Sequence, residues 1–376
     1  MHINQHLIHK NSDIPTEIDT EAHLVLCFGS KLLLSDINNI QSIKDAYPNA
    51  DIVFNSTAGE IMSDSVFENT IALTAITFET TKIISNCINI SRYKNSFNAG
   101  IKLASKFDQK GLNYLLLISD GSHVNGTELL KGLNLVFKNK IPITGGLAGD
   151  ATNFENTLVG IHKMPVQDNI VAVGFYGDKL RVSHATMSGW DPFGIERTIT
   201  KSEGNILYEI DNKNALELYK SYLGKYAKDL PASAVHFPLS IQNGDQDGSL
   251  VRTIIGVDQK QKTMSFAGEV PIGRKVRFMK ANFDKLIDSA GTAAQNTLSF
   301  IKDMQPEFAI LISCIGRKII LRERTIEEIE AVDEVLGKNV KFTGFYSYGE
   351  ISPLIPGGPC ELHNQSMTIT CFQELE

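Results

Sequence analysis

Two rhythms of apolar residues alternate along the chain. Short apolar runs such as "AHLVLCFGS" (22–30), "NYLLLISDG" (113–121) and "EFAILISCIGR" (307–317) have the length and composition of buried strands. Between them, apolar residues recur at helical spacing. Ile37, Ile40, Ile43 and Tyr47 follow Ser35 as N-cap and stop at Pro48, and a second helix is expected near 125–137. Phe283, Leu286, Ile287, Ala290, Ala294, Leu298 and Ile301 make one broad face of a long helix over 281–304. Ile326, Ile329, Val332, Val335 and Leu336 mark another, which stops at Gly337. Strand and helix in alternation predict an α/β fold of mixed sheets with helices packed on them.

A short motif punctuates the strand ends. A small residue or Tyr, then Gly, then an acid occurs at 58–60, 148–150, 267–269 and 348–350, in "FNSTAGEI", "ITGGLAGD", "MSFAGEVP" and "GFYSYGEI". The first and last copies match over roughly fifty residues, including an opening strand that ends in Cys-x-Gly. The third copy is the weakest: strands "SAVHFPLSIQNG" (233–244) and "RTIIGVD" (252–258), then the turn and the long helix. Four strand-helix-strand repeats predict two related halves of two repeats each. The polar turn residues of "KSEGN" and "DNKN" place the division near 200–215, giving an N-terminal domain over 21–210 and a C-terminal domain over 211–376. Residues 1–20 read as a flexible tail.

Charge and cysteine usage narrow the class. A net charge of −7 argues against a nucleic-acid footprint, which needs a basic face. Apolar runs are too short for a transmembrane helix, and the first residues carry no continuous apolar signal segment, so a cytoplasmic protein without membrane insertion is expected. The 5 cysteines are scattered, with no C-x-x-C or zinc spacing, and fit reduced thiols buried as small hydrophobes.

The C-terminal blocks "SCIGR", "GFYSYGEISP" and "HNQSMTIT" resemble the C-terminal FIST (F-box and intracellular signal transduction) domain. "NSTAGEI", "GGLAGD" and "GWDPFG" with the following "TK" resemble the N-terminal FIST domain, and the likeness covers residues 23–372. The resemblance implies an intracellular sensor of a small ligand, an amino acid or related metabolite. Occupancy would pass to a separate signalling protein such as a histidine kinase or a cyclic-dinucleotide enzyme. A subset of the family binds haem and reports nitric oxide to such a partner. The chain shows no kinase, cyclase or F-box segment, so no catalytic role is expected and any output passes to another protein.

The Gly-acid turns supply the candidate chemistry. Gly lets another group approach closely, and ligands of open α/β sheets favour the crevice beyond the strand ends. Glu60, Asp150, Glu269 and Glu350 belong near such an edge, where one or two of them could hold an ammonium group, while Arg317 could fork onto a carboxylate. Every copy also needs a closed turn, which accounts for any single acid. Residues that differ between copies are therefore the sharper candidates: Ser56, Thr57, Tyr346, Tyr348, His363 and Asn364. Trp190 in "VSHATMSGWDPFG" adds an aromatic wall, and His184 beside it is the candidate axial ligand if haem is bound. His2, His6 and His9 would share one side of a helix in the tail. Asp120, Ser122 and His123 in "SDGSHVNG" read as the start of a helix near Asn125 rather than a nucleophile or metal site. Paired acids acting as an enzyme, Glu60 with Glu350, would have to lie close together. No nucleophile elbow, P-loop or H-E-x-x-H motif occurs.

Overall fold

The computed structural model describes residues 1–242 and 248–375, so Asn243 and Gly244 of the expected strand over 233–244 lie outside the described residues. The first unit comprises β1 (His2–Ile8), β2 (Leu24–Gly29), α1 (Lys31–Leu34), α2 (Ile37–Ala46), β3 (Asp51–Ser56), the hairpin β4 (Glu60–Met62) and β5 (Ser65–Phe67), and β6 (Ile71–Thr77). The second comprises β7 (Lys82–Asn89), α3 (Ser96–Ala104), β8 (Leu112–Ser119), α4 (Gly126–Phe137), β9 (Ile143–Leu147), β10 (Val159–Ile161) and β11 (Asn169–Tyr176). The third opens with β12 (Leu180–Met187), which is followed by an inserted antiparallel module. Its strands are β13 (Asp191–Glu203), β14 (Ile206–Ile210), β15 (Lys213–Asn214), β16 (Leu239–Gln242), β17 (Ser249–Arg252), β18 (Ile254–Asp258), β19 (Thr263–Phe266) and β20 (Lys275–Lys280), with α5 (Ala215–Leu223) packed on them. The third unit then resumes with α6 (Phe283–Ser299), β21 (Phe308–Cys314), α7 (Ile315–Leu321), α8 (Thr325–Leu336), β22 (Lys341–Ser347), the hairpin β23 (Gly349–Pro353) and β24 (Cys360–His363), and β25 (Met367–Glu374).

Mixed sheets with helices on their faces are the expected α/β class. The three unit sheets share one strand order: β1-β6-β2-β3-β10, β7-β11-β8-β9-β23-β24 and β12-β25-β21-β22-β4-β5. In each, the first two central strands run parallel and the last strand of the unit lies antiparallel beside them. Each unit lends its turn segment to a neighbour: β4 pairs β22, β23 pairs β9, and β10 pairs β3. The exchange is cyclic, so the units surround an approximate three-fold axis. Period-two alternation gives each sheet two buried faces. Leu24, Leu26 and Phe28 of β2, Tyr114, Leu116 and Ile118 of β8, and Phe308, Ile310 and Ile312 of β21 meet in one central core. The intervening residues, such as Cys27, Leu117 and Leu311, pack outward on their own unit's helices.

This arrangement corrects several expectations. Residues 2–8 are not a flexible tail: β1 pairs residue for residue with β6, and Ile8 is fully buried. A strand puts His2, His6 and His9 out of the helical register that would group them. The grouping is three around an axis rather than two pairs, because the segment at 267–269 lies in the inserted module. The long helix α6 packs on β12, β25 and α8, and so serves the third unit. A division at 210/211 falls between β14 and β15, which pair with each other, and the exchanged hairpins cross it. Asp36, not Ser35, caps α2.

Candidate functional site

The three turn segments meet at one end of the axis. Ala58 N donates to Tyr346 O (2.8 Å), Tyr348 N to Leu147 O (3.2 Å) and Gly149 N to Ser56 O (2.8 Å), closing a ring of backbone hydrogen bonds through all three units. Beside this ring opens a cleft of about 830 Å³. Thr57, Gly59 and Glu60 of the first unit, Asp150 and Asn153 of the second, and Ile315, Lys318 and Arg322 of the third are on its walls, with Lys31 from the start of α1.

Glu60 is only 1% exposed and lies at the floor. Its Oε1 accepts from Thr57 Oγ1 (2.5 Å), and its Oε2 accepts from Thr70 N and Oγ1. Burial pushes this carboxyl up to about 7, against the hydrogen bonds from both threonines and the nearby Lys318 ammonium. Asp150 Oδ2 pairs with Lys31 Nζ at 2.9 Å. Lys318 Nζ donates to Ala58 O (2.8 Å), pairs with Glu68 Oε1 (2.6 Å), and stands 5.5 Å from the Tyr346 ring centroid. Gly59, at φ +138°, makes room for it: a Cβ there would come within 2.5 Å of Lys318 Nζ. Acids and ammonium groups thus share a cleft whose walls also carry Leu32, Ile315 and Ile319, a setting suited to a small solute carrying both charges.

The sequence-derived candidates divide. Thr57, Glu60 and Asp150 share the cleft. Ser56 ties its turn to the second unit, donating to Gly149 O and accepting from Leu158 N. Tyr346 lies behind the wall, its hydroxyl donating to Glu328 (2.6 Å). Tyr348 braces the loop after Asp150: its ring stacks on Phe154 at 4.8 Å and its hydroxyl accepts from Phe154 N. Arg317 is no ligand fork. It is fully buried and spends its donors on Glu328, Leu286 O and Ser188 O. Glu350 repeats the Glu60 pattern with Ser347 and Ser366, and burial pushes it also up to about 7, but it is not on the cleft wall. Glu269 pairs with Lys131 on α4, elsewhere on the surface. Trp190 is buried against Val251, Met279 and Ile320, with Nε1 donating to Gln365 O. His363 Nε2 meets Ser352 O (2.9 Å), and Asn364 donates to His363 O. Burial pushes His363 and His184 down to about 4, and the Nδ1 of His184 has no partner among the described residues.

Lys31, Lys318 and Glu68 were missed. A signal existed for the two lysines, since each follows Cys-x-Gly by two residues, in "CFGSK" and "CIGRK". Asp120, His123 and Asp168 lie close together outside the cleft. Asp120, however, accepts from the backbone of Ser122, His123 and Asp168 and from Thr157 Oγ1, which is the work of a helix-start cap. Asn125 then caps α4 as expected.

Comparison with known proteins places this architecture. The FIST N domain model matches residues 23–213 and the FIST C domain model residues 215–353. A relative from Methanocaldococcus jannaschii, the uncharacterized protein MJ1623, is 25% identical over 225 residues, which is 56% of this chain and 41% of that protein. The chain thus matches less than half the length of that curated relative. The crystal structure of a cyanuric acid hydrolase from A. caulinodans aligns over 100% of this chain and 99% of its own, at a TM-score of 0.40 and 8% identity. A likeness that low carries no argument about fold or activity. Among the described residues no helix is long and apolar enough to cross a membrane.

Proposed function

The chain belongs to the FIST family of signal-transduction sensor domains, and on that premise we propose that it is a noncatalytic cytoplasmic module sensing an amino acid or related metabolite in this cleft. The observation that carries the reading is the convergence of Glu60, Asp150, Lys31 and Lys318, supplied by all three units, on one cavity. Asp150 would take the ligand's ammonium group and the lysines its carboxylate, by charge-assisted hydrogen bonds, with Glu60 shaping the floor.

A route to a partner protein lies in α7. Its Ile315, Lys318 and Ile319 face the cleft, while Ile320 and Leu321 pack with Trp190, Val251 and Met279 at the border of the inserted module. A ligand that binds one placement of α7 better than another shifts the population by that difference in affinity. A separate histidine kinase or cyclic-dinucleotide enzyme would read the shift. The test is calorimetric and thermal-shift titration with the standard amino acids, with Asp150→Asn as the control that should lose the response. A flat response across the panel from folded protein refutes the reading.

The alternative, haem and nitric oxide, calls for an imidazole on the wall of a crevice that admits the macrocycle. His184 and His363 are on the wall neither of the cleft nor of the smaller pocket beside Lys275 and Arg277, which favours the amino-acid reading over this alternative. An absorption scan after haem supplementation should lack a Soret band; a band abolished by His184→Ala would reinstate the alternative.

A further inference from the structure

Lys318 and Lys31 are paired in opposite senses. Lys31 meets an acid that is itself buried, Asp150. Lys318 has the reverse arrangement: its own side chain is 16% exposed and its acid, Glu68, is 67% exposed. The ammonium is fixed from below by Ala58 O and the Tyr346 ring, and Gly59 leaves it room. Only the Glu68 carboxylate covers it from above, and no other hydrogen bond or ion pair holds that carboxylate among the described residues. Exposed ion pairs with one mobile partner are weak, because ordering the long side chain offsets most of the attraction. One helical turn on, Arg322 lines the same wall with no carboxylate partner among the described residues. A fixed ammonium, a free guanidinium and a loosely held acid make a carboxylate subsite that the chain fills for itself.

Resting on the reading of this cleft as the ligand site, we propose that Glu68 is a built-in competitor, and that the sensed molecule bears a carboxylate which displaces Glu68 from Lys318. The displacement has a structural consequence close at hand. Glu68 directly follows β5, and two residues later Thr70 holds Glu60 through its backbone N and its hydroxyl. One segment of chain therefore carries both the competitor of the ligand's carboxylate and the support of the acid at the cleft floor. Exchange at Lys318 would be felt at Glu60.

The experiment uses the full chain and calorimetric titration with L-alanine, L-glutamate and propionate, set against ethylamine and L-alaninamide. Glu68→Gln keeps the side-chain size at an exposed position and removes the charge. It is expected to bind the carboxylate probes about fivefold more tightly than the natural chain, while responses to ethylamine and alaninamide stay unchanged. Lys318→Met, with its unfolding midpoint checked against the parent, should lose the carboxylate response in either background. Equal or weaker carboxylate binding by Glu68→Gln overturns the competitor role and leaves the sensor reading standing. Binding of amine or amide probes without any carboxylate response overturns the carboxylate ligand and the competitor role together, and leaves the cleft as a ligand site. Silence across all probes in both proteins removes both this inference and the amino-acid reading.

Discussion

Replacing Glu60 by Gln tests the cleft floor through stability, without knowledge of the ligand. In the folded chain this carboxyl titrates near 7, against an ordinary value of 4.5. Between those values the folded protein keeps a proton at Glu60 that the unfolded chain has released, so the contribution of this one group is fully present below pH 4.5 and is lost as pH rises through 7. The difference of about two and a half units corresponds to about 3 kcal/mol lost by pH 8. Gln cannot ionise, and it fits the same partners: its oxygen accepts from Thr70, and its amide donates to the Thr57 hydroxyl, which turns to accept. An unfolding entropy of about 0.8 kcal/mol/K for a chain of this length converts the gain to about 4 °C. Calorimetric melting of parent and variant at pH 4 and pH 8 is the assay. Glu60→Gln should be near neutral at pH 4 and more stable than the parent by about 4 °C at pH 8. A difference that does not change between the two pH values would refute the argument that Glu60 is held protonated by burial.

Two further outcomes follow from the same geometry. Arg317→Met should cost about 3–5 kcal/mol in denaturant unfolding, because it leaves the Glu328 carboxylate buried without its partner; adding Glu328→Gln should recover much of the loss. Unchanged stability together with lost amino-acid binding would instead return Arg317 to the ligand. Gly59→Ala should destabilise by about 1–3 kcal/mol from its backbone conformation and weaken any Lys318-dependent binding, since the new Cβ meets Nζ; parallel melting and titration separate the two effects.

The sequence made the local elements legible and left their assembly hidden. Helices α4, α6 and α8 have apolar faces that show as 3.6-residue periodicity, and the strands ending at Gly29, Ser119 and Cys314 show as uninterrupted apolar runs, because both faces of each sheet are covered. The Gly-acid turn revealed the repeat, yet the three turns use their glycines differently. Gly59 clears Lys318, a Cβ on Gly149 would strike Ala58 N at 2.7 Å, and Gly349 sits against Leu362 and Leu147. A motif shared by spelling and divided by contact cannot say which copies face a ligand. Lys318 and Glu68 are 250 positions apart, and only the transfer of β4 and β5 to the sheet of β22 brings them together. Polar side chains on β1, at His2, Asn4, Gln5 and His6, disguised a strand as a tail, although Gln5 reaches across to Phe342 O.

The cyclic loan of turn segments also sets a timetable for synthesis. Unit one receives β10 early, but its own β4 cannot dock until β22 has left the ribosome, and β9 must wait for β23. A nascent chain of two hundred or so residues therefore displays unpaired strand edges that invite self-association. The two family segments, separable on paper at residue 214, should be insoluble when expressed apart and should unfold in a single transition when joined.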